Sequence, residues 1–600
     1  MSRAALAAIV LPIAAAACLP VERGLAIKGD EATYIAMAMS VAYDGDLKFG
    51  PQDLHRFQRL YGTGPEGIFL QQGYDLHLEV APGWPPVRVS RTRRPSREGL
   101  AFGKAFAYPV VAAPFIRLAG LRGLLLLNLL LLSAVVWMGW TFAATRLGVA
   151  AAGVLTVAFV AASIVSLYTV WRTPEIFNFA LVFAAYFLWL YKEVASPPEL
   201  QGRWLAHPVT DYIAAGLLGV ATFSKPPNAL LVGPLIVMLL LRRRWPRWAG
   251  VGATFLLFSA GAFVLNALVS GELNYQGGDR RTFYGRFPYS DATATFDSMG
   301  SVMATEHSDA QSLLSPPVFW PLFEHNAGYY FVGRHAGLIP YFLPGIVILA
   351  AWLARPRTWT RWQILSALAL GGSVLALLAL APYSWNGAGG PPGNRYFLSL
   401  YPVLFFLLPP GAPRWLGGVA MAGLIVTAPL LAHPLAASQQ PWRSAEHGLV
   451  RLLPVELTMV DDLPVRLAGA RSRIPFRDAL LYLLDEAAFQ PESTGFWVAG
   501  RARAEIIVRT DGALGRVKFR LRSVVPNHVE LSVGGRAIAI DLEPNTIATV
   551  WVEAGPGVVY THGSRAYLLS ISTSQGFVPH LVDAASTDAR FLGVFVEPDF

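Results

Sequence analysis

The chain reads as a polytopic α-helical membrane protein of about eleven transmembrane helices followed by a C-terminal all-β sandwich domain. Three observations say so. Of 600 residues, 54% are hydrophobic and 14% charged, whereas soluble domains carry roughly 25% charged residues. The deficit is uneven: apolar runs long enough to cross a bilayer, about 20 residues each, recur from the N-terminus to residue 432. After that point the apolar period shortens to two, the spacing of strands.

The spans fall near 4–20, 121–145, 149–169, 175–191, 209–223, 227–241, 248–269, 336–354, 362–382, 395–410 and 415–432. The first has Arg3, a short apolar core and small residues before Cys18. A cleaved signal peptide shares that pattern, and the reading adopted is a retained span. The Ala-Ala-Ala before Cys18, the single cysteine, is a poor lipoprotein signal. One cysteine allows neither a disulfide framework nor a Cys/His zinc pattern.

Basic residues fix the sidedness. Arg242, Arg243, Arg244 and Arg247 follow the sixth span, and Arg355, Arg357 and Arg361 follow the eighth. Short Arg-rich loops stay cytoplasmic, and Arg146, Lys192, Arg203 and Arg414 fall on the same side. The net charge of +9 is thus explained by topology, with no call for nucleic acid. The N-terminus is cytoplasmic in a plasma (inner) membrane. Loop 21–103, the turns at 170–174 and 224–226, loops 270–334 and 383–394 and the tail after 433 face outward. Arg91, Arg93, Arg94 and Arg97 also lie outside, in a loop long enough to escape the rule.

In the tail, 503–510, 516–522, 529–533, 536–542, 547–553 and 567–573 alternate apolar and polar residues, separated by Asp511-Gly512, Pro526-Asn527 and Gly534-Gly535. Short strands at that spacing predict an antiparallel sandwich. The domains are a membrane domain over 1–435, a linker over 436–490 with a helix at 476–489, and an extracytoplasmic sandwich over 491–600.

Chemistry collects on the outer side. In Gly29-Asp30-Glu31-Ala32-Thr33-Tyr34 two carboxylates open a helix whose apolar residues Tyr34, Met37 or Ala38, and Val41 recur at helical spacing, with Gly45 at its end. Asp30 is a natural N-cap. The helix N-terminus also favours its ionised form, which can accept a proton from a hydroxyl, so capping and catalysis are both open. Loop 21–103 exceeds a simple connector and ends at Lys104, a snorkelling lysine or a contact for lipid phosphate.

Glu175 follows Arg172-Thr173-Pro174 at the start of an apolar helix, either as a solvated boundary residue or as a functional acid. Ser224-Lys225-Pro226-Pro227 makes an abrupt turn that offers Lys225 as an interfacial anchor or a phosphate ligand. Loop 383–394 is glycine-rich without the Lys-Ser/Thr ending of a nucleotide loop. Arg395 beside it is an anchor or a bidentate phosphate grip. His55, His77, His307, His325 and His335 show no metal-ligand spacing. A divalent cation such as Mg or Mn at Asp30 and Glu175 is compatible with these residues but not required by them.

Gly29-Asp30-Glu31 with Tyr34 and Asp44-Gly45-Asp46, Lys104 with Tyr108-Pro109, Pro174-Glu175, Lys225-Pro226, and Gly393-Asn394-Arg395-Tyr396-Phe397 together resemble the bacterial GT-C superfamily of membrane glycosyltransferases. Within it the likeness is to the group related to lipid A aminoarabinose transferases and protein O-mannosyltransferases. The resemblance covers most of 1–432. Ala32 stands where close relatives commonly have proline, and Ala105-Phe106 replaces paired prolines. The tail, with Gly576-Phe577-Val578-Pro579, looks like those on such transferases.

The resemblance implies a polyprenyl-phosphate-linked sugar donor and an acceptor hydroxyl on a lipid, glycan or protein. It makes Asp30 the leading catalytic carboxylate, assisted by Glu31 and Glu175. Lys104, Lys225 and Arg395 would hold the donor phosphate, and Tyr34, Tyr108, Asn394 and Tyr396 would contact substrate. A transporter or flippase of lipid-linked sugars would want ionisable residues at mid-membrane depth, where these spans are almost purely apolar. A non-catalytic scaffold presenting the sandwich would not need acids beside phosphate-ready cations.

Overall fold

The computed structural model describes Ala15 and residues 30–600 other than 63–65, 81, 85, 96–98, 198–203, 299, 303–315, 388–389, 447, 467–472 and 584. The span expected at 4–20 therefore lies outside the described residues, Ala15 apart. The chain forms two compact units. The first is Met1–Thr305, Phe342–Ala376 and Phe397–Leu435; the second is Glu306–Tyr341, Leu377–Tyr396 and Ala436–Phe600.

The first unit opens with α1 (Glu31–Tyr43) and α2 (Pro51–Tyr61), followed after the loop strands by α3 (Ala107–Ala119). Next come α4 (Arg122–Ala144), α5 (Val149–Ala161), α6 (Glu175–Val194), α7 (Val209–Ser224), α8 (Gly233–Leu241) and α9 (Trp245–Ser270). Four described helices are long and apolar enough to cross a membrane: α4, α6, α9 and Arg361–Leu380. The pair α5 and Ile164–Val170, bent by 59°, is a fifth candidate. The chain is a multi-pass membrane protein.

Several expected spans are shorter or broken. Pro226, Pro227 and Pro234 lack the amide N–H that continues a ladder. They leave a 3-10 turn, Pro226–Val232, ahead of the nine residues of α8. The expected span at 395–410 contains only the helix Pro402–Phe406, and that at 415–432 divides into Leu416–Met421 and Leu424–Ala432. Proline explains the first break. Glycines let the 415–432 segment pack closely: a Cβ on Gly423 would lie 2.1 Å from the Ala162 carbonyl oxygen, and one on Gly417 2.9 Å from Leu155 N.

The long loop is structured. Its strands β1 (Gly67–Gln71) and β4 (Ala101–Phe102) join β5 (Arg280–Tyr284) and β6 (Ser301–Val302) in one antiparallel sheet, in the order β4-β1-β5-β6. Gly67 faces Tyr284, whose ring would stand 2.5 Å from any Cβ there. Between β1 and β4, β2 (Tyr74–Val80) and β3 (Val87–Arg93) pair only with each other among the described strands. Helix α1 packs on α3 and this sheet through wholly buried Ile35 and Ala38. Burial of an Ile side chain contributes about 1.5–3 kcal/mol.

The second unit carries two antiparallel sheets. One runs β13-β12-β16-β10-β8-β7 with β15 beside β16, the other β14-β11-β17-β9. Ile506, Leu569 and Ile571 from the first share a core with Phe519, Leu521 and Val596 from the second. Strands β10 (Arg503–Thr510), β11 (Arg516–Arg522), β13 (Arg536–Leu542) and β14 (Ile547–Glu553) have the bounds that the alternation predicts. Strand β12 (Asn527–Val533) starts earlier than expected, as does β16 (Arg565–Thr573). Alternation did not single out β9 (Phe496–Ala499), β15 (Val558–Val559) or β17 (Leu592–Asp599).

The helix expected at 476–489 is absent. In its place β7 (Ile474–Phe476) and β8 (Ala479–Leu483) form a hairpin whose turn puts Arg477 at φ +50°. The apolar run 479–484 suits helix or strand, and pairing of Leu481 with Val508 and Leu483 with Ile506 decides for strand. The β region thus begins near 474, upstream of the expected 491. The linker before it holds short helices such as Pro434–Gln439 and Pro441–Ala445.

Candidate functional site

Asp30 occupies the N-cap position of α1, but its carboxylate makes no capping hydrogen bond. It turns to Lys104, whose ammonium lies 3.3 Å from Asp30 Oδ2. The side chains of Asp30 and Lys104 are 7% and 11% exposed. Lys104 also sits 4.4 Å above the centre of the Phe69 ring. The backbone of Phe69 ties the two sides together: its N–H donates to Thr33 Oγ1 at 3.0 Å, and its carbonyl accepts from Gly103 N–H at 2.9 Å. Tyr284 lies within reach of Asp30. Burial pushes its phenol above its ordinary range, and the Asp30 charge adds to the rise.

Glu31 is wholly buried and clasped by the Arg172 guanidinium; the Arg172 backbone N–H also donates to it, at 3.3 Å. Asn128 holds the approach to Arg172, donating to the carbonyls of Thr169 (3.1 Å) and Trp171 (2.7 Å). Burial acts to lower the Arg172 pKa, and the charges around it, Glu31 foremost, more than reverse this.

Glu175 begins α6 and is 1% exposed, which corrects the reading of a solvated boundary residue. Lys225 Nζ stands 3.5 Å from its Oε1. The helix N-terminus favours the ionised carboxylate. Lys225 ends α7, where Ser224 receives a hydrogen bond from Asn178 at 2.9 Å and, on its carbonyl, one from Tyr275 at 3.0 Å. Like Lys104, Lys225 is largely buried, 15% exposed, so neither lysine snorkels into water.

Tyr108 links the groups. Its ring meets Tyr34 at 6.2 Å and Phe177 at 5.9 Å, within electrostatic reach of Glu31, Glu175 and Arg172. Its hydroxyl and that of Thr173 are buried without a hydrogen-bond partner among the described residues. A buried hydroxyl left unpaired costs about 1–3 kcal/mol, a cost that a polar ligand would remove.

Asn394, Arg395 and Tyr396 belong to the second unit. The loop there is held by Gly393 N–H to His335 O (2.8 Å) and Arg395 N–H to Asn386 O (3.1 Å). Asn394 is 2% exposed, and both atoms of its amide lack a hydrogen-bond partner among the described residues. The structure thus pairs Asp30 with Lys104 and Glu175 with Lys225 in the first unit, and sets the 394–396 group in the other. Arg172 is a site residue that the sequence reading does not assign. Its signal in the sequence is an arginine three residues before an acid, Glu175, in a largely apolar stretch. Among the described residues no three His, Cys, Asp or Glu side chains gather to hold a metal ion.

No family model and no curated protein matches the chain. One solved structure is similar, the crystal structure of ArnT from Cupriavidus metallidurans in the apo state. The likeness covers 72% of this chain and 66% of that one, at 14% identity and a TM-score of 0.35. The chain therefore spans just under two thirds of that protein. At this distance the activity has to be argued from the residues of the chain itself.

Proposed function

We propose that the chain is a GT-C-type membrane glycosyltransferase that moves a sugar from a polyprenyl-phosphate-linked donor to an acceptor hydroxyl on the outer face of the membrane. The observation that carries this reading is the pair of carboxylate–lysine contacts at helix termini, Asp30–Lys104 and Glu175–Lys225, both nearly closed to water. An ammonium beside a carboxylate can also take the donor's phosphodiester, a singly charged anion that gains a second charge only as the phosphate leaves.

Donor binding then draws Lys104 towards phosphate and leaves Asp30 as a base at the acceptor hydroxyl. The hydroxyl oxygen forms its bond to the anomeric carbon as its proton passes to Asp30. The bond from that carbon to the phosphate oxygen breaks, and the leaving phosphate keeps the electron pair, stabilised by Lys104 and Lys225. Direct displacement inverts the anomeric centre. Glu31, fixed by Arg172, positions the start of α1, and Glu175 holds Lys225 ready. Tyr34 and Tyr108 contact the sugar or lipid.

A divalent cation at Asp30 or Glu175 would meet an ammonium already in place, so the proposed reaction uses lysines; transfer that persists in a chelator is the expected result. The primary test is transfer of a labelled sugar from a polyprenyl phosphate by purified full-length protein. Asp30→Asn should abolish it while the variant remains folded. Near-normal turnover by that variant overturns the assignment.

A further inference from the structure

The hairpin of β2 and β3 is amphipathic in a way that the proposed reaction does not use. Residues directly opposite each other in an antiparallel pair project to the same face. The register pairs Leu76 with Arg91 and Leu78 with Val89 and puts Val80 on the same face, so that face is apolar over its outer half. The other face carries Asp75, His77 and Glu79. Leu78 is 72% exposed, Val80 86%, Val89 62%, and Trp84 in the connecting turn 92%. A two-stranded ribbon is marginally stable alone in water, and this one exposes its apolar side.

The root of the hairpin indicates what covers that side. Gly271, which ends α9 at φ +77°, packs so closely on Tyr74 that a Cβ would lie 2.4 Å from the Tyr74 carbonyl oxygen. Arg91 pairs with Glu272, and Arg94 donates to the Val269 carbonyl at 3.2 Å. The hairpin therefore leaves the chain where a 26-residue apolar helix stops. That helix shows Leu257, Leu265 and Leu268 to its surroundings at 68%, 54% and 67% exposure, and Leu273 beyond it at 59%. The apolar surface thus runs from the lipid-facing side of α9 through Leu273 to the hairpin root. Tryptophan and arginine at the end of a span are the composition of the headgroup layer.

We propose that the β2–β3 hairpin is a bilayer-docking finger, with its Leu78–Val80–Val89 face and Trp84 seated at the headgroup–acyl boundary of the membrane that α9 crosses. The inference is independent of sugar transfer, and its failure would leave that reading untouched. Cys18 is the single cysteine, so spin labels can be placed one at a time in a Cys18→Ser background. Full-length protein would carry Leu78→Cys, Glu79→Cys, Val80→Cys or Trp84→Cys in vesicles of phosphatidylethanolamine and phosphatidylglycerol.

Collision with oxygen, which concentrates in lipid, is compared with collision with a water-soluble nickel chelate. Labels at 78, 80 and 84 should favour oxygen several-fold over the label at 79, giving an alternation of period two. Equal nickel access at 78 and 79 puts the finger in water and overturns the proposal. Shielding of 78 and 80 from both reagents means that a second copy or another protein covers them, and overturns it equally.

Discussion

Carboxylates of the second unit are held differently from Asp30 and Glu175 in the first. In the second, acids are short-bonded several times over. Glu456 accepts from His335 N–H at 2.7 Å, from the His335 ring at 2.8 Å and from Ala336 N–H at 2.8 Å. Asp461 meets the Tyr482 hydroxyl at 2.7 Å, Arg509 at 3.0 Å and the Tyr560 hydroxyl at 3.1 Å. In the first unit the lysine contacts at Asp30 and Glu175 are 3.3 and 3.5 Å, longer than the roughly 2.7–2.9 Å of a strong charge-assisted bond, whereas Lys192 holds Asp211 at 2.6 Å. Arginine forks and stacked hydrogen bonds fix a structure. A lysine on a flexible stem, held loosely, can change partners. Glu31–Arg172 shows both styles side by side in the first unit: the fixed pair is one residue along from the loose one.

The largest expected effect separates those neighbours. Asp30→Asn should lower transfer about 10²–10⁴-fold, the range for loss of a general base, with a smaller loss of stability than Arg172→Ala because the Asn side-chain oxygen can still accept from Lys104. Arg172→Ala should instead unfold the first unit more readily, by about 3–5 kcal/mol, because it strands a buried carboxylate; chemical denaturation reads this. If the two variants exchange phenotypes, the contrast between loose and fixed pairs is wrong.

The third effect is a pH dependence in the second unit. Burial raises Asp485 from 3.8 to about 6, with Arg451 and the N–H groups of Glu505 and Ala487 pulling partly back. A folded-state pKa above the unfolded one means that the native protein takes up the proton first. Its contribution to stability therefore grows as pH falls from about 6 to 4, and is lost as pH rises through 6. The stability difference between wild type and Asp485→Asn should shift by about 2–3 kcal/mol across that window. The smallest effect is at the donor phosphate: Lys104→Met should lower kcat/KM about tenfold, about 1.4 kcal/mol, with kcat falling because the leaving phosphate loses its cation.

Legibility in the sequence followed the range of the interaction. Strands β10, β11, β13 and β14 could be read because alternation and Gly or Asp turns are local signals. The run 479–484 was misread as helix because pairing with β10, more than twenty residues on, decides its form. Spans past 395 were read from hydropathy, which does not register that Pro402 interrupts the helix. Asp30 looked like a cap because capping is a neighbour effect. Its actual partner, Lys104, is 74 residues away, and only the folded loop brings the two together. The part played by Arg172 was hidden for the same reason.

The backbone of one residue, Phe69, works as a caliper. One of its polar atoms grips Thr33, three residues after Asp30, and the other grips Gly103, one before Lys104. The gap between acid and ammonium is thus set across a sheet and not along the chain. Lengthening the stretch between α2 and β1 should leave that gap unaltered, so the loop is free to gain or lose residues as acceptors change. A slip of one residue in β1 would open both jaws at once, with neither charged side chain altered.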